Sequence, residues 1–169
     1  MRRLTKTLLI SISFLMLMSG CGSGGQEITI EPWEILLANL ENAWNNRDMT
    51  LLRSCFRDDF QHHLLSEDWA DYDDDGIPDT YWGEEIELDF AETAFNDADS
   101  IFFSLSGGVA YTWPDDTTGV SIAVTRDMTK EIYFPNDTLL ESGQVMFVCI
   151  PDSEDDWYIQ HWFDQGEWE

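Results

Sequence analysis

The chain has 169 residues, 14% of them aromatic with 8 Trp, and carries 34 Asp and Glu against 8 Lys and Arg for a formal net charge of −26. That length suits one domain with a real core, and the aromatic content argues against disorder beyond short segments. The charge excludes a surface made for nucleic acid or anionic headgroups and favours cations or basic partners, with a solvated acidic coat as the plainest reading.

Residues 1–20, MRRLTKTLLISISFLMLMSG, combine a basic start, an apolar centre from Leu8 to Met18 and small residues before Cys21. The stretch is too short and one-sided for a lasting transmembrane helix and reads as a signal peptide. Leu17-Met18-Ser19-Gly20-Cys21 resembles the lipobox of bacterial lipoproteins. The resemblance implies cleavage before Cys21 and a lipid on its sulfur, anchoring the protein to the bilayer of the cell envelope without spanning it. Gly22 at the next position leans, by the same resemblance, toward the outer membrane. Residues 21–30 then form a lipidated cysteine and a Gly/Ser-rich tether, and 31–169 a single domain.

Within that domain, Trp33, Leu36, Leu37, Leu40 and Trp44 fall on one broad helical stripe, with Pro32 at the first helical position. Two tryptophans on one stripe need a large apolar partner. Asn45-Asn46-Arg47-Asp48 breaks the pattern, and Asp48 caps a second helix over about 49–56. Residues 59–65 look extended, 67–80 form an acidic loop, and a third helix covers about 84–95. From Asp99 the period changes to two. Expected strands cover 101–106, 109–113, 120–126, a short 132–134 followed by a polar loop, and a hairpin of 144–150 with 157–164. Helices first and mostly antiparallel strands after predict an α+β fold. Cys55 and Cys149 fit a disulfide or two buried free thiols equally.

The opening WEILLANLENAWNNRDMTLLRSCF, a long helix, an Asn-Arg-Asp break and a second helix ending in Phe, resembles the nuclear transport factor 2-like family, including its SnoaL-like members. The aromatic final strand WYIQHWFDQ supports the likeness, which covers about residues 31–164. It implies three helices packed on a curved, mostly antiparallel sheet, a cone with a pocket at its open end. Members of the family include isomerases, cyclases, dehydratases and non-catalytic binding domains, so the fold does not choose among them.

Asp71-Tyr72-Asp73-Asp74-Asp75-Gly76-Ile77-Pro78-Asp79 resembles a calcium loop of the EF-hand or thrombospondin-repeat kind. The resemblance implies side-chain ligands at Asp71, Asp73, Asp75 and Asp79 and a backbone carbonyl at Ile77. The departure is Trp82 where the loop would have a bidentate Glu. An acidic turn in an acidic protein is the competing reading.

His62 and His63 are adjacent in a strand, so they point to opposite faces and cannot share one metal. His161 shares a face with Trp157, Ile159 and Phe163 if its strand is regular. Proton-transfer chemistry would need a base and an oxyanion donor in an apolar pocket. His62, Tyr111, Arg126 and His161 are the pocket candidates, with Asp99 a further base candidate. Arg126 suits an anionic ligand or, more simply, a neighbouring carboxylate. Nucleophile elbows and phosphate loops are missing. The expectation is a membrane-anchored, non-enzymatic domain that binds a small molecule or protein, with calcium as a cofactor and a homodimer as one partner arrangement. The alternative is a SnoaL-like enzyme acting on a small apolar ligand.

Overall fold

The computed structural model describes residues 30–66, 68–71, 76–117, 119–152 and 156–164. Three helices come early: α1 (Pro32–Asn46), α2 (Met49–Cys55) and α3 (Glu84–Asp97). Glu34 accepts the Glu31 backbone N–H at 3.1 Å at the start of α1. Arg47, at φ 55° in the left-handed region, stops it. The Arg47 guanidinium then donates to the carbonyls of Phe95 and Asp99, both at 3.1 Å, which ties the end of α1 to the end of α3. Asp48 caps α2 as expected, accepting the Leu51 N–H at 3.0 Å.

The strands are β1 (Phe56–His63), β2 (Tyr81–Gly83), β3 (Ser100–Ser106), β4 (Ala110–Thr112), β5 (Ile122–Phe134), β6 (Asp137–Pro151) and β7 (Trp157–Phe163). They form one sheet in the order β2-β1-β7-β6-β5-β3, with β4 also on β5. Every pairing is antiparallel except β1 with β7. The expected α+β arrangement, three helices on a curved and mostly antiparallel sheet, is therefore what the chain forms.

The hairpin β5–β6 corrects the sequence reading. Two separate strands and a polar loop are in fact one continuous ladder from Ile122↔Cys149 to Phe134↔Asp137, turning at 135–136. The inner-face alternation of β5 runs on through Met128, Lys130 and Ile132, and the backbone ladder carries the polar half of β6 with it. β2 lies in the gap between the expected acidic loop and the third helix, where the sequence reading assigns no element, and pairs with β1.

The helical stripe packs as its spacing requires. Leu36, Leu37, Leu40, Ala43 and Trp44 are buried against the inner face of the sheet. The Trp44 ring lies edge-on to Phe95 at 5.2 Å and stacks on Phe103 at 5.9 Å. Each such side chain contributes roughly 1.5–3 kcal/mol of burial. The outer face carries a smaller cluster of Ala123, Met146, Val148 and Ile150, covered in part by Trp113 and Phe163. Cys55 and Cys149 are free, buried thiols, which decides between the two readings left open for them. Burial pushes both up to about 12. No helix among the described residues is long and apolar enough to cross a membrane. Cys21 and the tether up to residue 29 lie outside the described residues.

Candidate functional site: a buried charge network beside a cleft

Four charged side chains project into the inside of the curved sheet from four elements. His62 comes from β1, Glu87 from α3, Lys130 from β5, and Asp164 follows the end of β7. His62, Glu87 and Lys130 are exposed by only 3%, 1% and 4%. Charges so deeply buried must be paired. His62 Nδ1 lies 2.9 Å from Glu87 Oε2, and Nε2 lies 2.8 Å from Asp164 Oδ2. Ionised carboxylates only accept, so both ring nitrogens carry protons and the ring is an imidazolium.

Burial alone would lower the His62 pKa. The hydrogen bonds and charges of Asp164 and Glu87 outweigh it and push the group up to about 9. Glu87 and Asp164 are drawn down: burial works against them, but His62, Lys130 and an indole N–H on each hold the charged form. Those indoles are Trp82, donating to Glu87 at 3.0 Å, and Trp162, donating to Asp164 Oδ1 at 3.0 Å. The His62 ring also stacks on Trp162, with centroids 4.7 Å apart. Lys130 sits over Trp44 and Phe90, with Nζ 5.3 and 5.1 Å from the ring centroids, and pairs with Glu141 at 2.6 Å.

Asp164 and Glu141 each face two ways. Each holds a buried cation, and each also lines a cleft of about 390 Å³ beside Leu65, Met128, Leu139 and Val145. Their side chains remain 26% and 40% exposed. The cleft thus presents carboxylates on an apolar wall, braced from behind by the buried network.

Comparison with known proteins agrees with this architecture. A conserved protein from Planctomyces limnophilus superposes with a TM-score of 0.62 at 11% identity, covering 79% of this chain and 91% of that one. The fold is a nuclear transport factor 2-like cone. A candidate scytalone dehydratase from Novosphingobium aromaticivorans matches the cone with a TM-score of 0.57 at 10% identity, over 78% of this chain and 79% of that one. A hexachlorocyclohexane dehydrochlorinase matches at 0.54 and 12%, over 79% and 81%. Identities this low speak for the fold alone. No protein-family model matches the sequence, and no curated protein matches it.

The cone separates the residues singled out in the sequence. His62 and Arg126 lie on its inner side. The Arg126 guanidinium rests on the Trp33 ring at 5.4 Å and donates to the Thr125 carbonyl at 2.9 Å; it forms no carboxylate pair among the described residues. Tyr111 lies on the outer face, its hydroxyl donating to Met146 Sδ at 3.1 Å. His161 is on the outer face too. The final strand is not regular: Cys149 faces Ile159 and Val148 faces His161, so Gln160 is an extra, bulged residue. The bulge leaves Ile159 in the core and turns His161 to the side of Phe163.

In the acidic loop, Asp71 accepts the Gly76 N–H at 2.8 Å, and Ala70 bridges Asp79 across its base. Ile77 is exposed. Asp73 and Asp75 lie outside the described residues.

Glu87, Lys130, Glu141 and Asp164 were not foreseen, yet two of them leave a trace in the sequence. Glu87 sits four, seven and eight residues before Ala91, Ala94 and Phe95, on the buried stripe of α3. Lys130 lies between Met128 and Ile132 in the inner-face alternation of β5. A charge on an apolar stripe signals a buried ion pair.

Proposed function

We propose that this protein is a lipid-tethered binding domain of the bacterial envelope, and that its cleft takes a small organic cation with an apolar body. The observation that carries the reading is the state of His62. Both of its ring nitrogens are committed to carboxylates at 2.9 and 2.8 Å, so it offers no free base. What remains open to the cleft is carboxylate, from Asp164 and Glu141, beside Leu65, Met128, Leu139 and Val145. An ammonium would find counter-charge there and its body would find apolar surface. Anchoring through Cys21 and calcium at the loop of Asp71, Asp73, Asp75, Ile77 and Asp79 belong to the same reading, on the strength of the two sequence motifs.

The test is thermal melting of the protein against matched series of aryl and alkyl ammonium ions, neutral alcohols and carboxylates. Ammonium ions should raise the midpoint, and Asp164→Asn and Glu141→Gln should each shrink that rise. Stabilisation by alcohols or carboxylates alone would sink the proposal. One feature favours a catalytic second reading: Asp164 is oriented by His62 and Trp162, as a positioned proton acceptor would be. That reading calls for chemical conversion of a cleft ligand, seen by mass spectrometry and lost in Asp164→Asn.

A further inference from the structure

The outer face of the cone holds a second histidine group, apart from the cleft. His63 Nε2 and His161 Nδ1 are 3.2 Å apart. The chain has 3 His among 34 Asp and Glu, yet among the described residues neither of these two is ion-paired, and each finds its side-chain hydrogen bond in the other. Phe163 orients both rings. It stacks on His63 with centroids 4.1 Å apart and lies 5.7 Å from His161. Tyr81 packs on the far side of His63 at 5.7 Å. Both imidazoles are only half-buried, so solvent reaches them. The Gln160 bulge is what brings them together, because it turns His161 out of the core and onto the side of Phe163.

We propose that His63 and His161 form a two-imidazole site for a divalent transition ion of the Cu²⁺, Ni²⁺ or Zn²⁺ class. A tetrahedral ion with nitrogen ligands at about 2.0–2.1 Å holds those nitrogens about 3.3–3.4 Å apart, close to the spacing seen. A borderline ion prefers imidazole to the carboxylates that cover the rest of the surface. Binding needs both facing nitrogens free of protons, so the ring that donates the hydrogen bond shifts its single proton to its other nitrogen. His63 then carries its proton on Nδ1 and His161 on Nε2, no proton is lost, and two or more positions on the ion stay open to water or an added ligand. Burial holds both rings in the neutral form that a metal needs. The strongly negative chain gathers cations around the site.

The experiment is calorimetric titration of the full chain with Zn²⁺ in millimolar Mg²⁺, which occupies the acidic surface. One equivalent should bind. His63→Gln and His161→Gln should each weaken it at least tenfold, and the double variant should abolish it. Electron paramagnetic resonance of the wild-type protein with one equivalent of Cu²⁺ needs no variant and should show two coupled imidazole nitrogens. All-oxygen coordination, no stoichiometric binding, or undiminished affinity in the double variant would each overturn the site.

Discussion

His62 and His63 are neighbours in sequence and opposites in chemistry. Alternation along β1 sends one ring inward between two carboxylates and the other outward beside a third imidazole. His62, raised from 6.5 to about 9, contributes stability that is complete below 6.5 and is lost as pH climbs through 9. His63 is lowered to about 4 by desolvation and by the charges of His161 and His62, so its contribution is complete above 6.5 and is lost as pH falls toward 4. Glu87 and Asp164, both lowered, add to the loss in acid. The melting temperature should therefore peak near neutrality and fall on both sides. His63→Gln should flatten the upper part of the acid limb and leave the alkaline limb intact; melts from pH 5 to 10 check this. The network also sets the cost of breaking it. Glu87→Ala strands a buried cation with one partner and should lower the unfolding free energy by about 3–5 kcal/mol in urea titrations.

At the scale of elements, the corner between β3 and β4 depends on a glycine. Gly108 has φ +86°, and a β-carbon there would fall on the Thr125 carbonyl oxygen of β5. Gly76 has a similar φ of +88° but open space around it. Gly76→Ala should carry only the backbone penalty of about 1–2 kcal/mol. Gly108→Ala must also push β5 away, adding roughly 1–3 kcal/mol of overpacking. A urea midpoint that shifts equally for both would contradict the tight corner. These elements also mark where the sequence was readable. α1 was legible because its five large apolar residues repeat at one period, and Asp48 because its capping chemistry is local. The polar half of β6 was not, since it is held by a backbone ladder that side-chain letters do not report. The parallel pairing of β1 with β7 joins segments about a hundred residues apart, and nothing local encodes it. The Gln160 bulge was hidden for a related reason: the alternation of apolar letters continues across it while the backbone does not. Of the candidate site, His62 was seen alone, because its partners Glu87 and Asp164 come from elsewhere in the chain.

For the molecule as a whole, charge works against what packing achieves. At a net −26 the folded state repels itself, and screening alone should raise the melting temperature as salt is added. Calcium offers a second, separable effect. If the 71–79 loop binds Ca²⁺ only when folded, the stabilisation grows as the ion exceeds its dissociation constant, reaching about 2.7 kcal/mol at a hundredfold excess. Mg²⁺ at the same ionic strength screens equally well, but its rigid octahedral shell suits such a loop poorly. The expected result is a midpoint raised further by Ca²⁺ than by Mg²⁺, with the difference abolished in Asp73→Ala/Asp75→Ala. Equal rises for the two ions, in both wild type and variant, would mean that the loop is only part of the acidic coat. A calcium-specific rise would instead mean that a metal orders the connection between β1 and β2. The imidazole pair gives the same experiment an internal contrast. Zn²⁺ should stabilise the wild type and the loop variant alike, while His63→Gln/His161→Gln should lose the zinc response and keep that to calcium.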